Sequence, residues 1–326
     1  MYLDFYGLKE NAFSTTPDPR FLYPSPAHRE ALAQVLYGVH NSKGFIVLTG
    51  EVGTGKTTLL HALRRRLDDS TAVAFLFNST LPFDGILEYM LEEFGVGKTA
   101  TTPAQRLFAL NNFLIERRRV GQSTVLILDE AQNLDVRTLE QVRLLSNFES
   151  PNEKLLQILL VGQPELRGKL ALPELRQLKQ RVALSCTIRP LNQRETQECI
   201  RTRLRIAGAS DLGLFTDRAL ARIAEYSGGI PRVVNILCDH CLVIGYADQE
   251  RRIGPQIVEQ AIKFLQEGGL ARQRSWGVGQ KSRMTPLRWA LTALAGLIVG
   301  SAVSLAVRPD TTHLFDLARS ARALLW

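Results

Sequence analysis

Residues Gly50-Glu51-Val52-Gly53-Thr54-Gly55-Lys56-Thr57 carry the spacing Gly-x-x-x-x-Gly-Lys-Thr, a pattern suited to gripping phosphates. Its glycines let the chain curl so that backbone N–H groups point inward at phosphate oxygens. The apolar run before it, at 45–49, reads as a strand, and the stretch 57–67 has helical periodicity. The loop therefore opens a helix N-terminus, whose partial positive charge favours an anion. Lys56 supplies a cation for the β- and γ-phosphates, Thr57 a hydroxyl for Mg²⁺, and Thr58 continues the lining. These residues together read as a cradle for ATP with Mg²⁺.

A second group supplies carboxylates. Val125-Leu-Ile-Leu-Asp129-Glu130 is an apolar strand that ends on two acids. Asp129 suits the Mg²⁺ shell and Glu130 suits polarising an attacking water. The plainer alternative is a helix cap, where Asp and Glu are common. Two other patterns carry less. Gly95-Val96-Gly97-Lys98-Thr99 repeats the Gly-Lys-Thr ending, but Glu92 stands where the first glycine belongs and a helical stretch precedes it, so it reads as a plain loop. Cys238-Asp239-His240-Cys241 has zinc-like spacing, but it lies inside a helical stretch without a second pair, and core packing is the preferred reading. With Cys186 and Cys199 these are the only cysteines, too few and scattered for a disulfide scaffold.

Short β-branched and aliphatic runs at 45–49, 73–77, 125–128, 157–161 and 182–187 must position these groups. Helix-length stretches separate them, which implies a parallel sheet covered on both faces. A lead at 1–44, rich in aromatics and prolines, runs into a helix over 25–39. After Pro190 the strands stop, and 191–267 read as a small helical unit with helices over 193–207, 217–226, 231–246 and 255–267. A glycine-containing basic linker follows at 268–288. Then come 19 residues, 289–307, with no charge between Arg288 and Arg308. As a helix they would extend about 28 Å, enough to span a membrane, and no following domain is expected to bury them instead. The twenty positions before the span hold five basic residues and no acid, which sets the N-terminal side in the cytoplasm and favours anionic headgroups. Within the span Thr292, Gly296, Gly300 and Ser304 form a small-residue face that permits helix–helix approach. A short tail closes the chain at 308–326. The start of the chain is charged early and has no apolar run, so no signal peptide is expected.

Net charge is +8, but residues from Gly269 onward account for +6 of it. A groove for nucleic acid would need a basic stripe on the folded part, so nucleic-acid binding is not expected.

The lead Met1-Tyr-Leu-Asp-Phe-Tyr-Gly-Leu8 with Phe13–Tyr23, the segment 44–58, Leu160-Val-Gly-Gln-Pro-Glu-Leu166 and Gly228-Gly-Ile-Pro-Arg232 resemble the ExeA/GspA-type secretion ATPases, a branch of the AAA+ class, over residues 1–267. The resemblance implies a P-loop AAA+ αβα domain at 1–190 and a helical lid at 191–267. It implies that Gln163 is the sensor of the γ-phosphate, rather than a turn residue before Pro164. It implies that Arg232 is the second sensor, reaching from the lid, rather than a solvated arginine. By the same resemblance Arg181 is expected to be the arginine finger that completes a neighbour's site, with Arg176 as runner-up, and Asn78 is expected to hold Glu130 inactive until a partner binds. A guanidinium suits the finger because its donors are fixed in a fork. An arginine acting in trans implies a homo-oligomer. Family members are expected to carry a peptidoglycan-binding domain after the span. Only about twenty residues follow it here, so direct peptidoglycan binding is not expected, and another envelope protein is the expected contact of the tail. The implied function is an inner-membrane ATPase that helps assemble a secretion, pilus or exopolysaccharide-export complex. Alternatives are a DNA-dependent AAA+ regulator of the transposition type and a nucleotide-gated scaffold with little turnover.

Overall fold

The computed structural model describes residues 2–274 apart from 69, 78–80, 97–99 and 152. Asn78, the Gly97-Lys98-Thr99 triplet, the expected span at 289–307 and the tail at 308–326 lie outside the described residues. Among the described residues no helix is long and apolar enough to cross a membrane.

Among the described residues seven strands form: β1 (Phe45–Gly50), β2 (Thr71–Leu76), β3 (Ser123–Leu128), β4 (Glu149–Ser150), β5 (Glu153–Lys154), β6 (Gln157–Gly162) and β7 (Val182–Ile188). β4 and β5 make a small antiparallel hairpin that two-residue strands are too short to announce by alternation. The other five form a parallel sheet in the order β2-β3-β6-β1-β7. β1 and β6 are buried at every position, which is why they read as continuous apolar runs rather than alternating ones.

Successive side chains point to opposite faces of the sheet. Phe45, Val47, Leu126, Leu128, Ile158 and Leu160 face one core with the helices Phe83–Glu93, Pro103–Arg119 and Val136–Leu145. Ile46, Leu48, Val125, Ile127, Leu159 and Val161 face the other, against Pro26–His40 and Lys56–Arg64. Because the sheet is parallel, the carboxyl ends of its strands share one edge. Thr49 pairs there with Gly162 and Thr187, and Gly50 with Ile188. β1 neighbours β6 and β7 rather than β2, so the chain leaves β1 at a point where the strand order reverses. Crevices for ligands open at such points.

The helical unit consists of Gln193–Ile206, Asp217–Ser227, Pro231–Ala247 and Pro255–Arg274. Asn192 and Glu195 close the first helix with a reciprocal capping box, and Pro231 opens the third at a position where its missing N–H costs nothing. The last helix runs beyond the expected end at 267, through the beginning of the linker, to Arg274.

The lead departs from the expected grouping of residues 1–190. Tyr6, Leu8, Ala12, Phe13 and Phe21 pack with Ile200, Leu204, Leu237 and Cys238, so the first part of the lead fills the core of the helical unit, while its helix Pro26–His40 packs on the sheet. Tyr2 donates its hydroxyl to Asp239 at 2.6 Å, and Phe5 meets Tyr246 edge-on at 5.3 Å. The reason is geometric: the lid helices leave an apolar face that the aromatics of the lead cover. Residues 1–267 form one compact unit.

Candidate nucleotide-binding site

β1 delivers the chain to the loop at 50–55, and the helix Lys56–Arg64 leaves it. Gly53 and Gly55 hold φ of +81° and +97°, the left-handed region that a β-carbon disfavours. Thr54 is buried and donates its hydroxyl to the Glu51 carbonyl at 2.8 Å, while Glu51 and Val52 are exposed and Thr58 half-buried. Lys56 is only 5% exposed. Its ammonium donates to the carbonyls of Gly50 (2.8 Å) and Glu51 (3.2 Å). Burial lowers its pKa, against the opposing pull of Glu130 and Asp129. A cation held this way is matched to an anionic ligand.

Asp129 follows β3 and is 3% exposed, with its N–H donating to the Leu76 carbonyl at 3.0 Å. Burial raises its pKa, and two hydrogen bonds oppose this: Oδ1 accepts from the Glu130 N–H at 2.9 Å, and Oδ2 accepts from the Thr57 hydroxyl at 3.2 Å. A buried carboxylate beside a hydroxyl, at a phosphate loop, is a hard-oxygen donor set that fits Mg²⁺. Mg²⁺, when bound there, supplies neutralisation of phosphate charge. Asp135, not Asp129, caps the next helix, accepting from the Thr138 N–H at 2.6 Å.

Glu130 sits at φ +52°, in the left-handed region, where a non-glycine residue costs roughly 1–3 kcal/mol and needs support from its surroundings. That support is visible. Its Oε2 accepts from the side-chain amides of Gln132 (2.5 Å) and Gln163 (3.2 Å). Gln163 thus stands beside Glu130 at the end of β6. Arg232, at the start of the helix Pro231–Ala247, reaches the loop through its backbone, whose N–H donates to the Gly53 carbonyl at 3.2 Å. A β-carbon on Gly53 would stand 2.7 Å from that of Arg232, so only glycine admits this approach. Loop, Glu130, Leu191, Pro231, Arg232 and the lead segment 14–23 line one cleft.

Lys56, Thr57, Asp129, Glu130, Gln163 and Arg232 therefore come together. Arg181 does not join them. It precedes β7, at the amino end of the strands, and its guanidinium donates to Ser146 Oγ and to Asn147 Oδ1 (2.7 Å). Arg176 is exposed. Cys238 and Cys241 are fully buried in the core of the helical unit, where burial pushes their thiols up, Cys241 to about 12.

Three participants carried no signal in the sequence reading. His28 is 3% exposed, with Nε2 2.9 Å from the Thr54 carbonyl and Nδ1 2.7 Å from Ser25 Oγ. Arg203 donates to the carbonyls of Ala12 (2.7 Å), Phe21 (3.1 Å) and Ser14 (3.1 Å) and lies over the Phe21 ring. Gln132 holds Glu130. The spacing of Gln132 from Glu130 was readable, but nothing in its residue type distinguished it from an ordinary turn residue.

A parallel sheet in this order, with a phosphate loop after β1, carboxylates after β3, a polar residue after β6 and a helical lid, is the P-loop nucleotide-binding fold of the AAA+ class. Residues 39–170 match the AAA domain family. General secretion pathway protein A of Aeromonas hydrophila is 37% identical over 297 residues, 91% of this chain and 53% of that protein. Together these matches support the resemblance to the ExeA/GspA-type AAA+ ATPases, and the chain spans about half the length of that relative. An HTH-type transcriptional regulator of Methanocaldococcus jannaschii is 26% identical over half of this chain and 40% of its own length. Among solved structures, the ORC2 protein of Aeropyrum pernix superposes with a TM-score of 0.59 at 17% identity, covering 78% of this chain and 71% of that one. Cdc6p of Pyrobaculum aerophilum gives 0.58 at 17%, covering 77% and 70%. At that identity the likeness is one of fold.

Proposed function

We propose that this chain binds ATP with Mg²⁺, hydrolyses it, and uses the cycle at the inner membrane to help assemble a secretion, pilus or exopolysaccharide-export complex. The observation that carries the reading is the convergence of Lys56, Thr57, Asp129 and Glu130 on one edge of the sheet, with Arg232 closing from the lid. In this reading the loop N–H groups and Lys56 hold the triphosphate, Thr57 and Asp129 hold Mg²⁺, and Glu130 takes the proton of the attacking water. Gln163, bonded to Glu130, and Arg232, from the lid, sense the terminal phosphate.

The membrane part of the proposal rests on the uncharged segment 289–307 and the five cations before it. The secretion part rests on the relative from Aeromonas hydrophila, whose name carries that pathway. A homo-oligomer follows if an arginine completes a neighbour's site. Arg181 is engaged within its own chain and Arg176 is exposed, which favours Arg176 as the donor in trans.

Complementation in cells tests the whole reading. Lys56→Ala and Glu130→Gln are both expected to abolish assembly of the envelope complex, with the protein recovered in the membrane fraction. Loss with Lys56→Ala alone would show that nucleotide binding suffices and point to the scaffold reading. Recovery in the soluble fraction would remove the anchor.

A further inference from the structure

Glu130 is followed by the 3₁₀ turn Ala131–Asn133, and that turn is fastened from two directions. The Lys169 ammonium, from the helix Glu165–Leu170, donates to the carbonyls of Gln132 (2.5 Å) and Leu134 (2.7 Å). The Gln132 side chain is committed at both ends: Nε2 donates to Glu130 Oε2 at 2.5 Å, and Oε1 accepts from the Gln163 backbone N–H at 3.1 Å. The Gln163 side chain then donates to the same Oε2 at 3.2 Å. Gly162 completes the arrangement by having no side chain: a β-carbon there would stand 2.7 Å from Gln132 Oε1. β6 thus ends on glycine where the amide of Gln132 must lie.

We propose that Gln132 is the positioning residue of Glu130, fixing one carboxylate oxygen and joining it to Gln163 in a single amide network. The inference rests on Glu130 being the base of ATP hydrolysis. Pinning Oε2 with two amide donors leaves the carboxylate one rotational setting, with Oε1 as the oxygen available to the cleft that Glu130 lines. Among the described residues, Gln132 and Gln163 supply the side-chain amides that hold the carboxylate of this left-handed residue. The same network gives Gln163 a route to Glu130: a displacement of β6's end moves Gln132 Oε1 and, through the amide plane, the carboxylate. The energetic asymmetry favours such a device, because a hydrogen bond to a charged group is worth more than one between neutral groups.

The test is steady-state ATP turnover by the full chain carrying Gln132→Met or Gln132→Glu, with nucleotide affinity and thermal unfolding measured beside it. Met keeps the volume and removes both amide functions. Glu keeps the shape and the acceptor for the Gln163 N–H, but sets a like charge against Glu130. Both variants are expected to lower kcat about tenfold or more, Glu the more strongly, with nucleotide affinity within about twofold of the parent. In a Glu130→Gln background, Gln132→Met is expected to change turnover no further, since the two act as a unit. A space-filling role predicts that Gln132→Glu behaves like the parent. Unchanged kcat in both folded variants, or a loss explained by weaker nucleotide binding, overturns the inference alone. No turnover by the parent chain overturns the hydrolytic reading and this inference with it.

Discussion

His28 shows how much of a phosphate loop is decided by a single side chain outside it. The Thr54 carbonyl only accepts, so His28 Nε2 must carry a hydrogen, and the neutral ring then accepts from Ser25 at Nδ1. Burial lowers the pKa of His28 from its ordinary 6.5, with the charge of Glu195 acting the other way. The sign follows from linkage: on acidification the unfolded chain takes the proton first, so stability falls as pH drops below 6.5 and levels off below the folded-state value. Urea unfolding at about pH 7.5 and about pH 5.5 checks this. The parent is expected to lose more stability between the two than His28→Gln; equal losses would mean that His28 does not stay neutral in the fold. Asp129 and Glu130 were legible from type and spacing, because an apolar strand ending on two acids stands in the same chain as an upstream phosphate loop. His28 was not, because its partner is a carbonyl 26 positions away.

At the scale of elements, the five strands of the sheet and the four lid helices follow from apolar runs and helical periodicity, since burial on both faces enforces the first and one buried stripe the second. The destination of the lead does not. Its aromatics signal that it is buried, but only the fold shows that they meet helices almost two hundred residues later. Arg203 makes that junction, donating to three carbonyls of the lead. Arg203→Met keeps much of the packing and leaves those carbonyls without their donor, which should lower stability by roughly 3 kcal/mol in a denaturant titration. A change below about 0.5 kcal/mol would mean that the lead is held by apolar packing alone. The contact between loop and lid is tested by Gly53→Ala. With φ at +81° and Arg232 2.7 Å from the added β-carbon, the lid helix must shift off the loop. A fluorescent-nucleotide titration should show affinity reduced about tenfold or more, that is about 1.4 kcal/mol, with the fold retained; unchanged affinity would separate the lid from nucleotide binding.

For the whole molecule, a sheet, a lid and a lead that buttresses both enclose one cleft, and every candidate residue in that cleft points to the same chemistry. Arg181 is engaged with Ser146 and Asn147 of its own chain and Arg176 is exposed, so sharing of the site between subunits rests on Arg176. Specific turnover that stays constant on dilution far below the assembly range would argue against such sharing. The central claim is narrower: Glu130 turns a nucleotide-binding cleft into a hydrolytic one. Phosphate release from ATP with Mg²⁺, measured for the parent and Glu130→Gln alongside their nucleotide affinities, tests it most directly. The expected result is unchanged binding with turnover reduced about 100-fold or more. Equal turnover by the two chains, or none by the parent while it binds ATP, would contradict it.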